Sequence, residues 1–301
     1  MWQQLLTQIQ QGNTKALART ISLVENEFEG YFSFLQTLSK SSTPIIGITG
    51  PPGAGKSTLV DALIGELVSH NQTVGVLCVD PSSPFNLGAL LGDRIRMSQW
   101  YNHPNVFIRS LATRGSLGGL HPKIIEIADV LAAAPFDYII IETVGIGQSE
   151  IEIAGLADTT IVVLVPEAGD DVQTMKAGLM EIADLFVVNK ADRPGADVFA
   201  KNLRQVILPG KKHSPVLLTT ASANVGIQDV YKAIIERGNA ATINEKQTWL
   251  LAEKAIHLIQ QYRMKDIDRR KIKEDIEHLI QGSAPFNIYN FVAKILVEKR
   301  S

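Results

Sequence analysis

The sequence predicts an α/β fold: a mostly parallel sheet covered by helices on both faces, with helical extensions at its amino and carboxyl ends. Three observations carry this. Seven short apolar runs recur between about residues 44 and 240, separated by segments long enough to hold helices. Most are continuous and β-branched rather than alternating, the pattern of strands buried on both faces. The first of them runs directly into Gly50-Pro51-Pro52-Gly53-Ala54-Gly55-Lys56-Ser57-Thr58, a phosphate-loop (P-loop) pattern set between a strand and a helix.

Residues 1 to about 40 read as helical. Leu5 and Ile9, then Leu17, Ile21 and Val24, recur at helical spacing, and Gly12-Asn13 interrupts them. Thr14 is the expected N-cap of the second helix. Phe28, Phe32, Phe34 and Leu35 form a third apolar cluster, expected to pack against the core. Ser41-Ser42-Thr43-Pro44 is a linker into the first strand.

The expected strands are Ile45–Thr49, Thr73–Val79, Val106–Ser110, Tyr138–Glu142, Thr160–Val165, Leu185–Asn189 and Val216–Thr219. A helix is expected over Lys56–His70. In such sheets ligands bind beyond the carboxyl ends of the strands. The polar residues of interest all fall there. Glycines in the phosphate loop let backbone N–H groups close around an anion, and the first helical turn adds unpaired donors. Lys56 reaches the β- and γ-phosphates, and the Ser57 hydroxyl holds magnesium. Asp80 ends a strand beside the loop, where a carboxylate binds magnesium or caps a turn. Asp93 reads as a loop aspartate. Arg94, Arg96, Arg109 and Arg114 suit phosphate contacts or, more simply, surface pairs.

Glu142 closes Ile139-Ile140-Ile141, with Thr143, Val144 and Gly145 after it, placing an acid near the metal and a backbone N–H near the γ-phosphate. Gln148, in the glycine-hinged stretch Ile146 to Glu150, is a candidate to orient the attacking water. Asn189-Lys190-Ala191-Asp192 follows another strand. Its aspartate suits the N1–H and exocyclic amine of guanine, edges that adenine lacks. Thr220-Ala221-Ser222 suits a last base-contacting loop.

The tail from 241 to 301 reads as helices. One stripe holds Leu250, Leu251, Ala255, Leu258, Ile259 and Tyr262; another, beyond Gly282-Ser283-Ala284-Pro285, holds Ile288, Phe291, Val292, Ile295 and Leu296. The charge run from Lys265 to Lys273 reads as a solvated face. The expected division is therefore 1–43, 44–240 and 241–301.

Composition sets limits. The 301 residues are 45% hydrophobic, enough for a sizeable core, and the net charge of -2 makes no electrostatic case for nucleic acid or an anionic membrane. No apolar run approaches a membrane span of about 20 residues. The single cysteine, Cys78, falls within an expected strand and suits a reducing compartment. Met1-Trp2-Gln3-Gln4 lacks the start of a signal peptide. A cytoplasmic protein is expected.

These residues resemble the methylmalonyl-CoA mutase-associated GTPases, the MeaB/MMAA type also labelled ArgK. The resemblance spans about residues 14 to 240 and is looser beyond. It rests on Ala16-Leu17-Ala18-Arg19, Ser83-Pro84-Phe85, Gly92-Asp93-Arg94-Ile95-Arg96-Met97, Ala112-Thr113-Arg114-Gly115 and Gly118-Gly119-Leu120. Further along it rests on Glu142-Thr143-Val144-Gly145, Gly147-Gln148-Ser149-Glu150, Val165-Pro166-Glu167-Ala168-Gly169-Asp170-Asp171 and Asn189-Lys190-Ala191-Asp192. Leu87 departs from the family, which often has glycine there. The resemblance implies a P-loop GTPase that binds GTP and GDP with magnesium, gates cofactor loading and protects an adenosylcobalamin-dependent acyl-CoA mutase. It implies a magnesium shell of Ser57, Asp80, Asp93 and Glu142, and a mobile Gly169–Lys176 segment. Gln148, Glu150, Asp170 and Lys176 become switch or partner residues, and the carboxyl-terminal helices a dimerisation arm. An arginine or ornithine kinase, a nickel-delivery GTPase and a non-hydrolysing scaffold are the competing expectations. The six histidines and lone cysteine show no metal-ligand spacing for the nickel reading.

Overall fold

The computed structural model describes residues 1–39, 41–80, 97–113, 120–143, 153–168, 180, 182–207, 214–239, 245–264, 267–281 and 286–298. They divide into two compact units, Met1–Leu251 and Ala252–Ser301.

The first unit opens with three short helices, α1 (Trp2–Gln10), α2 (Thr14–Glu25) and α3 (Tyr31–Gln36). Each buries one stripe: Leu5, Leu6 and Ile9, then Leu17, Ile21 and Val24, then Tyr31 and Phe34. The N-cap of α2 is Asn13, not Thr14: its side-chain oxygen accepts from Ala16 N at 2.9 Å. Both residue types cap well, and here the break at Gly12 puts Asn13 in the extended conformation an N-cap needs. The aromatic cluster also splits. Phe34 is buried, whereas Phe28 and Phe32 face solvent.

Seven strands then form one sheet: β1 (Ile45–Thr49), β2 (Val74–Asp80), β3 (Val106–Ala112), β4 (Tyr138–Glu142), β5 (Thr159–Leu164), β6 (Leu185–Val188) and β7 (Val216–Leu218). Their order is β3-β2-β4-β1-β5-β6-β7, and every pairing is parallel. All carboxyl ends therefore share one edge. β1 lies between β4 and β5, where successive connections leave to opposite sides, and this is where such sheets open a binding crevice.

Helix α4 (Lys56–Ser69) follows β1, α5 (Ile124–Ala132) follows β3, and α6 (Ala196–Val206) follows β6. α7 (Ile227–Asn239) comes after β7. One core layer joins Ile46, Ile48, Val163 and Val187 to Leu59, Leu63, Val230 and Ile234 of α4 and α7. The opposite layer joins Val162, Leu164, Phe186 and Val188 to Phe199 and Leu203 of α6. Burial on both faces explains why these strands read as unbroken apolar runs. At the base of the sheet the buried Asp184 carboxylate pairs with Arg237 and accepts from Thr160 N at 2.9 Å.

α8 (Glu245–Arg263) crosses from the first unit into the second, which also holds α9 (Arg269–Gln281) and α10 (Ile288–Glu298). None of the described residues of Ala252–Ser301 is buried. No helix among the described residues is long and apolar enough to cross a membrane.

Candidate functional site

The site grows from the end of β1. Gly50 has φ +141°, and a Cβ there would stand 2.1 Å from the carbonyl oxygen of Val163 on β5. Only glycine lets the chain leave the middle of the sheet this tightly. The loop then reaches α4, whose first residues carry the chemistry. Lys56 is buried at the loop's centre, its ammonium donating to Gly50 O at 2.9 Å and Pro51 O at 3.2 Å. Ser57 Oγ donates to Glu142 Oε1 at 2.6 Å, a short charge-assisted bond from the helix start to the end of β4. Thr58 is half-buried on the next position.

Two carboxylates thus stand beside the loop. Glu142 and Asp80, at the ends of β4 and β2, are each 3% exposed. The β2–β4 register sets Cys78 against Glu142, so Asp80 lies two residues further along its strand. A hydroxyl and two buried carboxylates form a hard oxygen set, the chemistry that suits magnesium. Thr143 fixes the exit of β4: its N–H donates to Ile48 O at 3.0 Å and its hydroxyl to Thr49 Oγ1 at 3.0 Å. Thr113 N donates to Asp80 O at 3.0 Å, binding the ends of β2 and β3 together.

Asn189 joins the second half. It is buried just past β6, and its N–H donates to Leu164 O at 2.8 Å. Its Nδ2 donates to Ala54 O at 3.0 Å, while its Oδ1 accepts from Thr219 Oγ1 and Ala221 N, both at 3.1 Å. One carboxamide therefore holds the phosphate loop, its own loop and the loop after β7. Lys190 takes a left-handed conformation, φ +56°, and its ammonium donates to Gly53 O at 2.7 Å. Asp192 is exposed, as is Ser222; Thr220 bridges to Val225 and closes the last loop. Next to Asp192, Arg193 pairs with Glu167, and that hydrogen bond holds the Glu167 carboxyl below the usual carboxylate range.

The structure brings together Gly50, Gly53, Ala54, Gly55, Lys56, Ser57, Asp80, Glu142, Asn189, Lys190 and Ala221 at one sheet edge. Asp93, Gln148, Glu150, Asp170 and Lys176 lie outside the described residues, as do Arg94, Arg96 and Arg114. Arg109 is placed away from the phosphate loop: its guanidinium donates to Ser22 Oγ and Glu25 Oε2 of α2, each at 3.1 Å. Sequence reading missed the Thr49–Thr143 bond and the Arg193–Glu167 pair. Each joins residues far apart in the chain, and only the sheet order reveals them.

A seven-stranded parallel sheet with this loop, a carboxylate-tipped β4 and the Asn189–Asp192 loop defines a P-loop GTPase. Residues 17–275 match the family described as Methylmalonyl Co-A mutase-associated GTPase MeaB, and the chain belongs to it. A protein of Pyrococcus abyssi that carries a GTPase name is 44% identical over 291 residues, 94% of this chain and 85% of that one. GTPase ArgK of Escherichia coli is 32% identical, covering 94% and 87%. A fused isobutyryl-CoA mutase of Geobacillus kaustophilus is 33% identical over 282 residues, 86% of this chain but 25% of that longer protein. The solved structure of a LAO/AO transport system kinase superposes with a TM-score of 0.68 over 100% of this chain and 98% of that one. At 23% identity it speaks to the fold alone.

Proposed function

We propose that this chain is a cytoplasmic GTP-hydrolysing chaperone that gates cofactor loading and protects an adenosylcobalamin-dependent acyl-CoA mutase, methylmalonyl-CoA mutase first among the candidates. The observation that carries the nucleotide half is the Asn189 carboxamide, which fixes the Asp192 loop to the phosphate loop. A guanine-reading carboxylate is useful only at a set distance from the phosphates, and the Asn189 bonds support such a spacing. The mutase half is supported by the family and by the relative in which such a chain is fused to a mutase.

In this reading residues 44–240 are the nucleotide-binding core, with 1–43 and 241–301 as extensions. Lys56 and the loop N–H groups hold the β- and γ-phosphates; Asp192 takes the base, and Lys190 lies along it. Ser57, Asp80, Asp93 and Glu142 would hold magnesium, which would supply neutralisation of the phosphate charge. The chain's own work is electrostatic and positional rather than covalent. Ser57 and Glu142 fix the helix start against β4, and Gln148 orients water. Glu150, Asp170 and Lys176 respond to nucleotide state and meet the partner. The carboxyl-terminal helices pair two copies, a reading supported by the exposed Ile256, Ile259, Tyr262, Ile280, Ile288 and Tyr289.

The test is phosphate release by the purified chain with GTP, ATP or no magnesium, with and without purified mutase, and with Lys56→Ala as the inactive control. Slow GTP-selective turnover, accelerated by the mutase, is expected. Transfer of phosphate to arginine instead of water would convert the reading to a kinase. No response to any acyl-CoA mutase would remove the chaperone role.

A further inference from the structure

The pair formed by Arg193 and Glu167 lies beside the Asn189–Asp192 loop, and the function proposed above gives neither residue a task. The sheet brings them together. The β5–β6 register sets Leu164 beside Val188, and Asn189 N donates to Leu164 O at 2.8 Å. The chain therefore leaves both strands side by side. After β5 it enters a single 3-10 turn, Pro166–Ala168, which carries Glu167. After β6 it folds back on itself. Lys190 is left-handed at φ +56°, Ala191 N donates to Thr219 O at 2.9 Å, and Arg193 N donates to Lys190 O at 3.0 Å. The turn ends at Gly195, the N-cap of α6, at φ +86°.

Lys190, Asp192 and Arg193 put three charges on this turn. Two are engaged: the Lys190 ammonium by Gly53 O, and the Arg193 guanidinium by the Glu167 carboxylate. Asp192 has no hydrogen-bond or ion-pair partner among the described residues. Its neighbour Arg193 has the length and the rotamers to turn back on it, and unpaired opposite charges on one turn attract. Glu167 opposes that. Its carboxyl is held below the usual carboxylate range, first by the Arg193 hydrogen bond and then by one from its own backbone, with the Arg193 and Lys190 charges adding to them. It is therefore an anion at neutral pH. The pair is exposed, 46% at Arg193 and 51% at Glu167, so it adds little to stability. What it supplies is placement.

We propose that Glu167 is a positioning residue for guanine recognition: it draws Arg193 off Asp192 and leaves that carboxylate open to the base. The proposal rests on the base-reading role given to Asp192 above. A carboxylate that accepts from the N1–H and the exocyclic amine of guanine at once uses both of its oxygens. A guanidinium fork takes the same two oxygens. Glu167 removes this competitor by giving it a partner of its own.

Four versions of the full chain are titrated with GDP in excess magnesium: the parent, Glu167→Gln, Arg193→Gln and the double variant. Glu167→Gln is expected to raise the Kd about three- to fivefold, the scale of one exposed ion pair, and more at low salt than at high. Arg193→Gln alone is expected to keep the parental Kd. The double variant is expected to return to it, because without the arginine there is nothing for Glu167 to restrain. Tm stays parental throughout. A pair that merely braces the two loops predicts a different pattern: either single change weakens binding and the double variant does not recover. That pattern overturns the proposal. So does parental affinity in Glu167→Gln, the result if the freed Arg193 turns instead to Asp197 in the first turn of α6. Asp192→Asn, titrated with GDP and with xanthosine diphosphate, separates this proposal from the reading beneath it. If that variant keeps the parental preference for GDP, the base assignment fails and this proposal with it. If it shifts toward xanthosine diphosphate while the double variant stays as weak as Glu167→Gln, this proposal alone fails.

Discussion

The two units of this chain use apolar residues in opposite ways. In Met1–Leu251, β1, β2, β4, β5 and β6 are buried nearly end to end, and helices close both faces. In Ala252–Ser301 comparable side chains stay open: Ile259 is 54% exposed, Ile280 62% and Tyr289 81%. The first unit has its core within itself, whereas none of the side chains described in the second is buried. Sequence periodicity looks alike in both. What differs is how far the described side chains of each stripe are covered.

This contrast can be broken first at its most constrained point. Gly50→Ala should be the most damaging single change, because a methyl group cannot occupy 2.1 Å from Val163 O. We expect a cost of several kcal/mol or a failure to fold, read as a fall in Tm, together with loss of nucleotide binding. An unchanged Tm would mean the β1 exit is not tight. Next comes the Asn189–Asp192 loop of the same unit, proposed above to read the base. Asp192→Asn should keep the fold, because Asp192 is exposed. It should lower GTP affinity by roughly 100-fold and favour xanthine nucleotides; retained guanine selectivity in a competition assay would exclude the assigned role. The smallest effect on stability belongs to the second unit. Ile259→Asp should leave Tm and GTP affinity within about 0.5 kcal/mol of the parent while shifting the sedimentation coefficient from dimer to monomer. A dimer that persists at micromolar concentration would place the pairing surface elsewhere.

The strands were legible because burial on both faces leaves a local signature. β1 and β4 match their expected bounds, and the others shift by one or two residues at their ends. The phosphate loop and the Asn189–Asp192 loop were legible for a different reason: each is contiguous, so spacing alone displays it. The contacts between them were not. Ser57 and Glu142 are 85 residues apart, and Asn189 and Ala54 are 135 apart; only the strand order makes them neighbours. The packing expected of Phe28 and Phe32 fails because the left-handed backbone at Glu27 and Gly30 breaks the helical face on which such counting depends. Arg109 read as a phosphate or surface residue because nothing in the sequence announces that α2 brings Glu25 beside β3.

The carboxamide of Asn189 has a consequence for anyone who would redesign this protein. The loop proposed to read the base, residues 189–192, shares its anchor with residues 54 and 221. A transplant of 189–192 alone into another scaffold would arrive without its moorings. The portable cassette is all three turns, and successful chimeras should be those whose crossovers keep the trio together.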